Sequence, residues 1–529
     1  MAQIHRRQFL SRLAAGAGAI TLGNLLQCSE ATLAKPNILL VLVDDMGYSD
    51  LGCFGSEIDT PNVNSLAREG IRCTRFYNAS RCCPTRASLL TGLYPHEAGM
   101  GDMVDSDYGL PSYQGYLNNE CVTLAEVMHD AGYTTLMSGK WHVGEHKPNW
   151  PCDRGFDRYF GLISGAANYW DIHQTKAPGV VRQMALDNTP WEPPAEGFYM
   201  TDAIGDHAVQ FLQESTTPDK PFFMYLAFTA PHWPLHAYSE DIDKYRSNYL
   251  DGWDELRKNR YQRMIDMGII DKEWELSPRD PEAMAWDDVE DKTLMDAKMA
   301  AYAAMIDRMD QNLGKVLGKL EEIGREDNTL IMFLSDNGAC HESGPLGFDR
   351  RNNGAPVGTR ESFMSYGRSW SNAGNTPFRL HKHWVHEGGI STPFIAKWPT
   401  VIKQKNTLCR QTGHIVDIMA TCVDVAGAQY PENRNGNRIK PMRGKSLLPI
   451  FKGRERQGHD YLFWEHESSK AVMHGDWKLV SKSGEKWELY DLPRDRTELH
   501  DLADTNPDMV QHLADKWMEW ARQVGVRLV

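Results

Sequence analysis

Four largely apolar runs, none of them alternating, each end in a cluster of polar residues. Ile38-Leu39-Leu40-Val41-Leu42-Val43 ends at Asp44-Asp45, and Tyr133-Thr134-Thr135-Leu136-Met137 ends at Ser138-Gly139-Lys140-Trp141-His142. Phe222-Phe223-Met224-Tyr225-Leu226-Ala227-Phe228 ends at Thr229-Ala230-Pro231-His232, and Leu330-Ile331-Met332-Phe333-Leu334 ends at Ser335-Asp336-Asn337-Gly338. A strand with one wet face alternates apolar and polar residues, so a run apolar at every position is covered on both faces. Helical spacing lies between the runs, most clearly at Tyr302, Ile306, Met309, Leu313, Leu317 and Leu320. Strands alternating with helices predict an α/β fold, with a large, mostly parallel central sheet flanked by helices. Ligands of such sheets sit at the carboxyl ends of the strands, so the four polar clusters are expected to meet.

The texture changes from about residue 455. Tyr461–Trp464, Ala471–Met473, Trp477–Val480 and Trp487–Tyr490 are short and separated by tight turns. They predict a small antiparallel sheet, closed by a helix from about Pro507 to Val524. The charged, Trp- and Asp-rich stretch from about 240 to 295 reads as an insertion flanking the site. The expected domains are a catalytic one over 35–454 and a C-terminal subdomain over 455–529.

Residues 1–34 stand apart. His5-Arg6-Arg7-Gln8-Phe9-Leu10 opens a weakly apolar, Ala/Gly-rich stretch that Thr32-Leu33-Ala34 can end as a cleavage site. This resembles a twin-arginine export signal. The expected product is periplasmic or secreted, with the twin-arginine export machinery as a partner. Gln27 before Cys28 fits a lipoprotein site poorly, so no lipid anchor is expected. No later segment reaches the roughly 20 apolar residues of a membrane span. The formal charge is −14; the first 34 residues carry a net +2, which leaves −16 for the rest. So acidic a body argues against nucleic acid as the main partner.

The segment Cys82-Cys83-Pro84-Thr85-Arg86-Ala87-Ser88-Leu89-Leu90-Thr91-Gly92 reads as a helix, with Pro84 in its first turn and Gly92 as its stop. That puts Cys82 just before the N-terminus and Arg86 one turn inside, where the helix dipole and a guanidinium favour an anion. A single cysteine there reads as a buried thiol; the whole pattern is more specific. Asp44 and Asp45 repel each other unless a cation holds them. With Asp336 and Asn337 they make a hard, all-oxygen set suited to Ca²⁺ or Mg²⁺, and ligand identity alone leaves that choice open. Lys140, His142, His232 and Lys382 are ordinary one by one; only the set is informative.

The order Asp-Asp, Cys-x-Pro-Thr-Arg, Gly-Lys-x-His, Pro-His, Ser-Asp-Asn-Gly and Lys-x4-Glu-Gly-Gly runs from about Pro36 to Glu387. It resembles the type I, formylglycine-dependent sulfatases, with the bacterial arylsulfatases closest in look. The resemblance implies an alkaline-phosphatase-like sandwich. It implies that a formylglycine-generating maturation enzyme converts Cys82 to an aldehyde. It also implies one divalent metal, Ca²⁺ rather than Mg²⁺, held by Asp44, Asp45, Asp336, Asn337 and the modified side chain at position 82.

The implied reaction is hydrolysis of an aryl or carbohydrate sulfate through a covalent sulfo-enzyme. The hydrated aldehyde attacks sulfur, with Asp336 as an acceptor of its proton and Arg86 and Lys140 steadying its charge. His232 and Lys382 hold sulfate oxygens, and one of them protonates the leaving oxygen. His142 takes the proton of the second hydroxyl, and sulfate is expelled. Two other readings stay open here. One is a phosphodiesterase or phosphonate monoester hydrolase on the same site; the other is a non-catalytic protein that binds sulfate esters.

Overall fold

The computed structural model describes residues 35–528 apart from 176, 178, 216 and 218. The expected export signal and Cys28 lie outside the described residues. Lys35–Val529 forms one compact unit. In chain order its strands are β1 (Asn37–Val43), β2 (Ile71–Tyr77), β3 (Thr134–Gly139), β4 (Arg158–Leu162), β5 (Met184–Leu186), β6 (Thr189–Trp191), β7 (Phe222–Ala227), β8 (Thr329–Ser335), β9 (Ser391–Lys397), β10 (Thr407–Cys409), β11 (Gly413–His414), a short ribbon of β12 (Asn433–Arg434) and β13 (Asn437–Arg438), and then β14 (Leu462–His466), β15 (Ser469–His474), β16 (Trp477–Ser481) and β17 (Glu488–Asp491).

An eleven-stranded sheet runs in the order β10-β2-β9-β8-β1-β7-β3-β4-β5-β6, with β11 also on β2. The five central strands, β8-β1-β7-β3-β4, are parallel. β9 enters antiparallel between β8 and β2, and β5 and β6 close the other edge antiparallel. This is the alkaline-phosphatase-like architecture expected. The two faces explain the continuous apolar runs. Leu39, Val41 and Val43 pack with the helix Lys292–Glu322, through Tyr302, Ile306, Met309 and Leu313. Ile38, Leu40 and Leu42 pack on the opposite side with Leu89 and Leu90 of the cysteine helix and with Leu124 and Val127. From Ile38 to Val43 no residue of β1 is polar, because neither face meets water.

Register then aligns the chemistry. Val43 stands beside Ser335, Leu42 beside Ala227, and Ala227 beside Gly139. Asp44, Asp336 and Lys140 therefore leave the sheet at the same end. The insertion from 240 to 295 is helical, with Gly252–Asp266 as its main element. None of its residues lines the site's cavity. Its Trp253 and Trp286 pack against Trp370, and its buried Arg260 reaches Asp50 at 2.5 Å below the Asp44-Asp45 turn.

The C-terminal sheet runs β14-β15-β16-β17, antiparallel throughout. Leu462, Trp464, Ala471 and Val480 face Tyr77, Val385 and Ile390 of the main body. Val472, Leu479 and Leu489 face the helix Pro507–Val524 through Leu513, Trp517 and Trp520. Between sheet and body lies a buried ion network. Glu387 meets Lys478 at 2.9 Å and Arg496 at 2.8 Å, and Lys478 also meets Glu498 at 2.8 Å, all without solvent exposure. Burial opposes the charge of Glu387, but Lys478 and Arg496 outweigh it and hold the carboxyl at about 2. Its contribution to stability is complete above the ordinary value of 4.5 and is lost as pH falls through about 2. Glu387→Gln leaves Arg496 buried without its carboxylate. It is expected to cost about 3–5 kcal/mol in urea unfolding at neutral pH, with the difference from the wild type shrinking toward pH 2. An unchanged midpoint at neutral pH would contradict this.

Candidate active site

The cysteine helix, α2 of the chain after α1 (Pro61–Glu69), spans Cys82–Thr91. Cys82 is its first residue rather than the one before it, because Arg81, in extended conformation, is the cap. Pro84 occupies the first turn, where an N–H has no helical partner to lose. Gly92 ends the helix at φ +69°, and a Cβ there would lie 2.6 Å from Met419 Cβ. Every residue of α2 is buried, so the N–H groups at its start are shielded from bulk water.

The predicted residues meet there. Arg86 Nη2 donates to Asp336 Oδ2 at 2.8 Å and stands 3.6 Å from Asp44 Oδ2. Lys140 Nζ donates to Asp44 Oδ2 at 2.5 Å. Lys382 Nζ meets Asp45 Oδ1 at 2.7 Å and His232 Nε2 at 3.4 Å. Asn337 Nδ2 donates to Asp45 Oδ1 at 2.7 Å, and the Asp45 N–H donates to Asp336 Oδ1 at 3.1 Å. Asp45 and His142 sit at φ 67° and 56°, left-handed backbone that non-glycine residues hold only where the surroundings enforce it.

Three buried carboxylates thus face three buried cations. Burial and the neighbouring Asp44 push the Asp336 carboxyl well up, against Arg86. Burial also works against Asp44, but Lys140, His232 and Arg86 hold it down to about 2. Asp44 Oδ1 and Asn337 Oδ1 are buried acceptors without a hydrogen-bond partner. Orphaned oxygens beside three carboxylates fit a hard divalent cation.

The Cys82 side chain also stands within reach of Cys83 and His142. A hydrogen bond from Cys83 lowers its thiol well below the ordinary range; burial opposes this, and Lys140 and His142 reinforce it. Cys83 is pushed up by burial and sits in the apolar core. Burial, helped by Lys140, holds His142 down to about 4, so its imidazole is neutral at pH 7. His232 donates from Nδ1 to the Trp233 carbonyl at 2.6 Å, which leaves Nε2 as the acceptor facing Lys382 and Asp45. Burial opposes the charge of Lys382, but Asp45 raises it well above the ordinary value. At rest, Lys382 and not His232 Nε2 holds the proton of this pair.

These groups open into a cavity of about 300 Å³. Arg81, Arg182, Arg350, Glu145 and Glu342 also line it, and none was singled out from the sequence. Arg81 carried a signal, since it directly precedes Cys82; Arg182 and Arg350 come from loops with no pattern. Of the tryptophans near these loops, Trp233 lines the cavity, with Arg350 over its ring at 5.6 Å. Trp170 packs on Tyr199 and Tyr238, and Trp384 packs on His341 and His383.

The sulfatase family model matches residues 36–428. The chain belongs to the sulfatase family. The model for the C-terminal region of N-sulphoglucosamine sulphohydrolase matches residues 378–523. An uncharacterised sulfatase of Schizosaccharomyces pombe is 36% identical over 94% of this chain and 95% of its own. The arylsulfatase of Klebsiella aerogenes is 34% identical over 80% of this chain and 93% of its own. Among solved structures, Ps i-CgsB in complex with k-i-k-neocarrahexaose has a TM-score of 0.68 and 25% identity, over 92% of this chain and 93% of that one. This sulfatase is a sulfuric ester hydrolase. Among the described residues no helix is long and apolar enough to cross a membrane.

Proposed function

We propose that this sulfatase cleaves aryl or carbohydrate sulfates through a formylglycine hydrate made from Cys82 and a covalent sulfo-enzyme. The observation that carries this reading is the side chain at position 82. It stands at a helix N-terminus, between a neutral imidazole and a row of buried cations. Asp44, Asp45, Asp336 and Asn337, with the modified side chain, would hold one divalent metal, Ca²⁺ by the family resemblance. Such an ion supplies Lewis acidity to the nucleophilic hydroxyl and balances the carboxylates.

The residues divide the work by their charge at rest. Asp336, whose carboxyl burial and Asp44 push well up, takes the proton of the attacking hydroxyl. Arg86 and Lys140 hold the developing charge. Lys382 and His232 bind sulfate oxygens, and the proton for the leaving oxygen comes from this pair, with Lys382 holding it at rest. His142, neutral and beside position 82, accepts the proton of the second hydroxyl, and sulfate is eliminated without water attacking sulfur. His142→Ala is therefore expected to release about one phenol per active site from an aryl sulfate and then stall. Steady turnover without a burst contradicts the covalent route.

Matched aryl sulfate and aryl phosphate diester substrates test the class of ester. The account expects kcat/KM for the sulfate to exceed that for the diester, and the reverse order would overturn it. Export through the N-terminal twin-arginine-type signal to the periplasm or beyond is part of the proposal. Cys82 is only 2% exposed in the folded chain. A maturation enzyme thus has access to this segment only before folding. Protein from a host lacking that enzyme is expected to fold normally and to be inactive.

A further inference from the structure

We propose that His383, His466 and Glu467 form a second metal site, for Zn²⁺ or a similar transition-metal ion, distinct from the all-oxygen set. One donor atom from each residue lies within 4.8 Å of the others. His383 Nδ1 stands 3.4 Å from Glu467 Oε2, and His466 Nε2 stands 3.5 Å from Glu467 Oε1. Ligands about 2.0–2.1 Å from a tetrahedral zinc lie about 3.3 Å apart, close to both separations.

The independent pointer is His466. Its side chain is fully buried, yet neither ring nitrogen has a hydrogen-bond partner. Leaving such a group unsatisfied is costly, and a metal ion is one partner that an imidazole nitrogen takes. Burial holds His383 down to about 4 and His466 well below its ordinary value, so both rings are neutral and ready to ligate. The nearest cation on a neighbouring element, Arg81, is tied to Glu342 at 3.1 Å.

The backbone converges on the same place. His383 has φ 92°, and Glu467 and Ser468, the two turn residues between β14 and β15, have φ 45° and 67°. A two-residue turn with both φ positive favours Asn and Gly, and this one has neither. The strained tip places Glu467 over the two rings. Its side chain is 44% exposed and that of His383 22%, which leaves a path from solvent. Two nitrogens and one carboxylate select a borderline ion, whereas the Asp44 set selects a hard one. The ion would pin the tip of the C-terminal sheet to the loop that carries Lys382.

The test uses the full chain carrying Cys82→Ala, so that the Cys82, Cys83 and His142 group takes no ion, in excess Ca²⁺. Zn²⁺ is titrated against a chromophoric chelator. One equivalent is expected to bind. Glu467→Gln and His383→Gln are each expected to weaken it by more than the roughly 10–100-fold that loss of an outer-sphere partner costs. Saturating Zn²⁺ should raise the unfolding temperature of the parent and not of Glu467→Gln. Absence of stoichiometric Zn²⁺, or equal affinity in the parent and in Glu467→Gln, overturns the proposal. Glu467 is at a turn tip, so its substitution leaves the folding core untouched.

Discussion

Cys82→Ala is expected to abolish turnover of a sulfate ester, by about 10⁶-fold or more, while the protein stays folded. The size follows from what the side chain is proposed to do: without a nucleophile only binding and charge stabilisation remain, and enzymes gain at least about 10⁶-fold in total. The fold should survive because little packing depends on the thiol. The first turn of α2 keeps its Arg81 cap, Pro84, and the Ala79 N–H bond to Thr85 Oγ1 at 2.9 Å. Far-ultraviolet dichroism and the urea midpoint should match the parent. Activity within tenfold of the parent would remove position 82 from the mechanism.

Asp336→Asn is expected to have the second largest effect, with activity and stability moving apart. In the absence of a cation, burial and Asp44 push the Asp336 carboxyl well above its ordinary value, against Arg86, so an amide of the same shape replaces a carboxylate that its surroundings disfavour. The urea midpoint of the metal-free protein should change little. Divalent-metal affinity and turnover should both collapse, the latter by about 10²–10³-fold or more, as for loss of one preorganised charge partner. A bound cation favours the ionised Asp336 carboxyl, whose proton affinity burial and Asp44 raise in the metal-free protein. Calorimetry in buffers of different ionisation enthalpy should therefore report proton release that Asp336→Asn lacks. Equal proton release in both proteins would contradict the assignment.

The parts of this protein that were legible in the sequence share a physical cause. β1, β3, β7 and β8 are covered on both faces, so their centres are apolar without alternation and polar groups mark their ends. Gly92 was legible as a helix stop because the space beside Met419 admits no side chain. The four C-terminal strands were legible because one face meets the body and the other a helix, with turns between. β2 was not foreseen. It carries Arg72 in a buried strand, where the two terminal nitrogens donate to the Cys53 carbonyl and Asn406 Oδ1. The placement of the 240–295 insertion was not legible either. Its charges and tryptophans mark a surface element, whereas the structure uses Arg260 and Trp253 to brace Asp50 and Trp370. Within the site, residues at strand ends could be grouped before any contact was known. Arg182 and Arg350 could not, because loops bring them in without periodicity.

The central claim is that the residue acting at position 82 is an aldehyde and not the encoded cysteine. Peptide mass spectrometry of active protein tests it directly, on the peptide that contains Cys82 and Arg86. The account predicts formylglycine, or its hydrate, at position 82 in a fraction that tracks specific activity across preparations. Fully active protein with an unmodified thiol at position 82 throughout would contradict it.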